Sequence, residues 1–145
     1  MTTIRPALEA EAAQIRDLIY LVGINPTGLD WKRFVVAVND RDEMIGCGQL
    51  KPHGRDILEL ASIAVYPEHQ GKGVARAIIE HLLTDSPRPL YLMRQSSLGP
   101  FYEKFGFHGI SYEEMPRYFQ RLSKLAGLVT TLARREERLL IMKLQ

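Results

Sequence analysis

The stretch Gln70-Gly71-Lys72-Gly73-Val74-Ala75 places two glycines and a cation directly ahead of an apolar helical pattern. The first amides of a helix have no partner within it and lie at the positive end of its dipole. Glycine brings no Cβ to obstruct an anion approaching them, and Lys72 adds charge. An anion such as a phosphate fits this arrangement; so does a tight strand-to-helix turn that binds nothing. The stretch alone leaves both readings open. A second candidate is Glu59, which in "ILELASIAV" is expected to share one strand face with Ile57, Ala61, Ile63 and Val65. A carboxylate among apolar neighbours is costly to ionise, so its proton affinity should rise, as a general base near neutral pH requires. The alternative is a glutamate at the strand's mouth, solvated or paired with Arg55.

Other chemistries find less support. A Walker loop needs G-x-x-x-x-G-K-[ST], which the chain lacks, and a G-x-G-x-x-G fingerprint fails because Arg76 stands at its third glycine. His53, His69, His81 and His108 show no metal-ligand spacing, so no metal is expected. Cys47, the single cysteine, has no disulfide partner in the chain and no evident activating histidine; it reads as a small buried hydrophobe in a strand.

These residues must be positioned by a mixed set of elements. "TTIRPA" reads as a first strand stopped by Pro6. Ala12, Ile15, Leu18, Ile19 and Val22 fall at helical spacing within a helix over Glu9–Val22. "GINPTGLDW" is a loop followed by at most a short helix, in which Asn25-Pro26-Thr27-Gly28 reads as turn chemistry and Trp31 as a core anchor. "RFVVAV" and "MIGCGQL" are strands joined by "NDRDE", "KPHGRD" is the next turn, and "ILELASIAV" is an apolar strand ended by Pro67. Val74, Ala77, Ile78 and Leu82 form the stripe of the helix after the glycines. "LYLM" is a short buried strand, "GPFYEKF" a helical turn or two, and "GFHGI" a return strand. Tyr118, Leu122, Leu125, Ala126 and Val129 predict an amphipathic helix with Arg117, Arg121 and Lys124 on its opposite face, and "RLLIMKL" closes the chain. The expectation is one α/β domain over residues 1–145 with a mixed sheet.

The 145 residues are 46% hydrophobic and 25% charged with a formal charge of +2, a globular composition without the basic excess that nucleic-acid binding demands. No apolar run reaches the roughly 20 residues that span a bilayer, and the N-terminal residues lack a signal-peptide core, so a cytoplasmic location and no membrane partner are expected.

Joined together, the apolar strand, "VYPEHQGKGVARAIIEHLL" and, about thirty residues on, "GPFYEKFGF" resemble the GNAT superfamily of N-acetyltransferases. The loop fits that family's [RQ]-x-x-G-x-[GA], and the order of elements agrees from the first strand to about Ile110. The resemblance implies a mostly antiparallel central sheet with splayed middle strands, flanked by helices, and acetyl-CoA as co-substrate. It implies that the amides of Gln70, Gly71, Lys72, Gly73, Val74, Ala75 and Arg76 hold the cofactor's pyrophosphate. Ile63, Ala64 and Val65 would then bind the pantetheine arm as an added strand, with a backbone N–H among them steadying the oxyanion. Tyr102 would protonate the departing thiolate; its plainer role is as a core residue beside Phe101 and Phe105. Glu59 stands where many relatives carry a glutamate, and would receive the amine's proton directly or through water. Acetyl transfer would be direct, to an amine whose identity is not legible; the resemblance puts "INPTGLDW" where relatives shape the acceptor pocket, so that Asn25, Asp30 and Trp31 could line it. Two departures stand out. Gln95 replaces an asparagine that contacts the cofactor in many relatives, and the 111–138 segment adds a helix before the last strand. That helix and strand offer dimer surfaces, leaving a homodimer open. Also open are a CoA-binding module without catalysis and a structural domain whose glycines bind nothing.

Overall fold

The computed structural model describes residues 1–133 and 138–145, except for the side chains of 127–133. Among the described residues, seven strands and four α-helices follow in the order β1 (Thr3–Pro6), α1 (Ala12–Val22), β2 (Phe34–Val38), β3 (Met44–His53), β4 (Ile57–Val65), α2 (Val74–Thr84), β5 (Leu90–Gln95), α3 (Gly99–Glu103), β6 (His108–Gly109), α4 (Arg117–Ala133) and β7 (Leu139–Leu144). The strands pair in the order β1-β2-β3-β4-β5-β7-β6. β1–β2, β2–β3, β5–β7 and β6–β7 are antiparallel. β4 and β5 run parallel and pair at one register position, Glu59 opposite Tyr91. The mixed, mostly antiparallel sheet and the extra helix before the last strand agree with expectation.

The chain divides into two compact units, residues 1–51 with 60–86, and residues 52–59 with 87–145, so that β4 runs through both. In the first, Ile15, Leu18 and Ile19 of α1 pack with Phe34, Val36, Val38, Met44, Cys47 and Ala64. Alternation puts Gly46 and Gly48 on the other face of β3 from Cys47. A Cβ on Gly48 would lie 2.6 Å from Ile63 Cδ1 and 2.7 Å from Ile78 Cγ2, so α2 seats against bare backbone there. In the second unit Tyr91, Ile110, Phe119 and Ile141 form the buried cluster, with Tyr118 and Leu122 of α4 packed on it.

Three expectations change. "KPHGRD" is not all turn: β3 continues through His53, and only Gly54-Arg55-Asp56 turn, with Gly54 at φ +70°. The two-residue period of β4 breaks at Ser62, a non-glycine residue at φ +59°, so Glu59, Ile63 and Val65 do not share an unbroken face. Leu60, Ala61 and Ser62 are buried in succession, as are Ala64 and Val65. On α4, Leu125 is 60% exposed and drops out of the apolar stripe. Val129 of that stripe lies outside the described side chains, and residues 134–137 of the expected 111–138 segment lie outside the described residues.

Candidate active site

In the first unit the candidate groups are main chain. After β4, a single 3-10 turn at Pro67–His69 leads to Gln70, whose Nε2 donates to the Val65 carbonyl at 3.0 Å and ties the loop to the strand end. Gly71 and Gly73 follow at φ +76° and +82°, with Gly73 the residue before the first turn of α2. Both are in a region that side-chain-bearing residues enter at a cost of about 1–2 kcal/mol, and a Cβ on either would meet no protein atom within 4 Å. The glycines are thus required by backbone conformation, and the space over them is open. Among the described residues, the amides of Gly71 through Arg76 donate to no protein oxygen; the first helical bond is Ala77 N–H to Gly73 C=O at 3.1 Å. Lys72 is exposed on this loop, and Arg76 is held sideways by Glu80 at 3.1 Å. Six free amides and one unpaired ammonium make a surface that an anion can satisfy.

The acceptor-pocket candidates belong to the same unit and are largely engaged. Asn25 Oδ1 accepts from the Thr27 N–H (3.1 Å) and hydroxyl (2.8 Å), an Asx turn. Asp30 Oδ1 accepts from the Lys32 N–H at 3.1 Å, and Trp31 packs against the α1 core. Sequence reading missed what pins this loop. Gln49, fully buried, donates from Nε2 to Ser62 Oγ at 2.8 Å and to Gly28 C=O at 3.2 Å. Lys51 Nζ donates to Thr27 C=O at 2.9 Å. Their signal was two polar residues recurring at a period of two in a strand flanked by glycines.

Ile63, Ala64 and Val65 lie beyond the Ser62 kink, Ala64 and Val65 buried and Ile63 half-buried. The Val65 carbonyl is already taken by Gln70, which leaves it less free to pair with an added strand. Cys47 is fully buried, its thiol 3.6 Å from the Ser62 carbonyl, and burial pushes its pKa up to about 12. A thiol so held is not a nucleophile.

In the second unit the candidate groups are side-chain pairs. Tyr102, on α3, is 4% exposed, and its ring meets Phe101 and Phe107 edge-on, at 5.1 and 6.3 Å between centroids. Arg94 of β5 donates from Nε to the Tyr102 hydroxyl oxygen at 3.1 Å, with its guanidinium carbon 5.9 Å from the ring centre. Because the guanidinium fills an acceptor position, the phenol's own proton is left to be donated elsewhere. Gln95, next on the strand, is exposed and pairs with Leu139 across the ladder.

Glu59 is 6% exposed and neither solvated nor paired with Arg55. Its Oε1 lies 2.6 Å from His53 Nε2, the short distance of a charge-assisted bond. The His53 ring stacks on Tyr118 with centroids 3.8 Å apart and planes at 22°. Burial, and then the charge of Glu59, push the Tyr118 phenol up. Tyr91, opposite Glu59, and Arg94, which holds Tyr102, are three residues apart on β5, about 10 Å along the strand.

Comparison with known proteins bears on this arrangement. No curated protein matches the sequence closely enough to count as a relative. The chain as a whole superposes on part of N-acetylglutamate synthase from Neisseria gonorrhoeae, solved with coenzyme A and N-acetyl-glutamate. The TM-score is 0.76 at 20% identity, covering 100% of this chain and 35% of the synthase, so the chain spans about a third of that protein's length. A Mycobacterium tuberculosis protein solved with CoA gives a TM-score of 0.72 at 21% identity, covering 98% of each chain. A Bacillus cereus GNAT-family acetyltransferase gives 0.69 at 16%, covering 100% of this chain and 97% of that one. At such identities the likeness is one of fold. The sequence itself matches the acetyltransferase (GNAT) domain over residues 30–109, a span that includes the free amides, Glu59 and Tyr102 and exceeds half the chain, and the protein therefore belongs to the GNAT acetyltransferase family.

Proposed function

We propose that the two units work as a single acetyl-CoA-dependent N-acetyltransferase domain that moves an acetyl group directly to a primary amine. The observation that carries this reading is the run of amides from Gly71 to Arg76 without protein acceptors, inside the stretch that matches the family. A diphosphate supplies the acceptors those amides lack, and Lys72 offsets part of its charge. Ile63 to Val65 line the pantetheine arm, with an N–H there for the oxyanion, although the occupied Val65 carbonyl restricts that pairing to its neighbours. Gln95 makes a secondary cofactor contact.

The amine, once deprotonated, attacks the thioester carbonyl; a C–N bond forms, the C–S bond breaks, and Tyr102 gives its proton to the thiolate. The amine's proton leaves toward Glu59. Asn25 and Trp31 border the acceptor. The enzyme needs no covalent intermediate, in keeping with the inert Cys47.

The test is calorimetric titration with CoA, followed by thiol release from acetyl-CoA across a panel of amines. Glutamate heads the panel, because the Neisseria synthase was solved with N-acetyl-glutamate; other amino acids, small polyamines and peptide N-termini follow. Micromolar binding with turnover of at least one amine is expected. No heat and no thermal stabilisation at millimolar CoA would remove the reading, and binding without turnover would favour a CoA-responsive module.

A further inference from the structure

Glu59 is a poor direct base as it stands. It is 6% exposed, and its Oε1 is engaged by His53 at 2.6 Å. A buried carboxylate with one oxygen committed to an imidazole N–H orients that ring and steadies its cationic form rather than reaching a substrate itself. The ring is well fixed: Tyr118 stacks on one face at 3.8 Å, and Phe119 meets it edge-on at 6.2 Å. With Nε2–H donated to Glu59, the lone pair of a neutral imidazole is on Nδ1, and Nδ1 has no hydrogen-bond partner among the described residues. The His53 side chain is 11% exposed, enough to present one edge.

We propose that His53 Nδ1 is the atom that takes the proton from the acceptor amine, with Glu59 the positioning residue that sets the ring's tautomer and charge. This rests on the acetyltransferase reading above. The amine's proton passes to Nδ1, the imidazolium so formed is held by the Glu59 carboxylate, and nitrogen attacks the thioester. Tyr102 protonates the sulfur, and the proton on His53 returns to solvent, from which the Tyr102 phenolate is refilled. One proton is taken and one given per acetyl group. The titratable groups facing the pair are Tyr118 from α4 and Tyr91 from β5, the latter with Lys143 of β7 5.8 Å from its ring centre.

Two measurements decide it. Nitrogen-15 NMR of the imidazole ring in the wild-type protein should show the neutral His53 protonated at Nε2. H53Q should lower kcat/KM by about 10²- to 10⁴-fold with CoA affinity unchanged, and should lose the acidic limb of the pH–rate profile. E59Q should keep a limb but displace it, and should raise the share of the Nδ1–H tautomer. A limb that persists unshifted in H53Q, or a wild-type ring protonated at Nδ1, overturns the proposal. H53N is made in parallel, and if neither variant folds, the wild-type tautomer and E59Q still decide. A wild type that binds no CoA overturns the acetyltransferase reading and this role with it, whereas CoA binding and turnover with an unmoved limb overturn this role alone.

Discussion

The two units of the chain carry different kinds of chemical group. Residues 60–86 offer main-chain amides, set by two left-handed glycines over which a Cβ would meet open space. The unit of residues 52–59 and 87–145 offers side chains held in pairs, Arg94 on Tyr102 and His53 on Glu59. Main-chain groups are fixed by local conformation, so a short stretch suffices to build an anion site. Proton transfer needs particular atoms in particular ionisation states, and those come from partners distant in sequence. Binding in one unit and chemistry in the other should therefore fail separately.

Tyr102→Phe is the strongest way to break that separation. It deletes the one proton that the Arg94 contact leaves free while keeping the ring between Phe101 and Phe107. Turnover should fall by at least tenfold, and by as much as about 10³-fold if the phenol is the full general acid, with CoA affinity nearly intact. Unchanged turnover in a thiol-release assay would mean that the hydroxyl is buried structure only.

Gly73→Ala should do the reverse. The added Cβ meets nothing, so the packing cost is nil and the conformational cost about 1 kcal/mol. As φ relaxes from +82°, the amides before α2 turn, and CoA affinity should fall about tenfold while turnover at saturation changes little. Gly48→Ala in the same unit sharpens the point. There the Cβ would press on Ile63 and Ile78, and thermal stability should fall by about 1–3 kcal/mol. If G73A and G48A affect binding alike, the glycines before α2 matter only through the stability of their unit.

The same contrast explains what could be read in the sequence. The glycine loop was legible because its chemistry is local: six residues determine where the free amides point. Tyr102 was legible through the family's spacing, but Arg94 was not, since eight residues and a 3-10 turn separate the two. The partner of Glu59 was missed for a definite reason. Pro52 and Gly54 look like turn residues, which predicts a strand that ends before them and puts His53 in a loop. In fact Pro52 is tolerated at an exposed strand position, β3 runs on through His53, and a three-residue turn brings His53 across from Glu59. Ser62 was hidden in the same way, because nothing in its residue type signals a left-handed strand position; the buried Gln49 that bonds it stands thirteen residues away.

The smallest effect probes the side chains of the first unit, which serve stability rather than chemistry. Arg5 forms a two-pronged pair with Glu11, at 2.9 Å from Nη1 and 2.8 Å from Nη2, joining β1 to the turn that starts α1. The Glu11 carboxyl also accepts the Leu8 N–H at 2.8 Å. Arg5 foremost, then that amide, hold the Glu11 pKa below its ordinary value. A carboxylate whose folded pKa is depressed adds stability above its unfolded pKa, near 4.5, and loses that contribution as pH falls through the folded value. Glu11→Gln should therefore cost about 1 kcal/mol at pH 7 by urea denaturation, with the gap to wild type closing as pH falls below 4.5 and through the depressed folded value. CoA affinity and turnover should not move, because the pair touches neither the free amides nor the Arg94–Tyr102 and His53–Glu59 pairs. A loss of turnover in E11Q at a pH where the protein remains folded would show that the first unit's charged side chains take part in the chemistry after all, and that binding and catalysis are not divided between main chain and side chain.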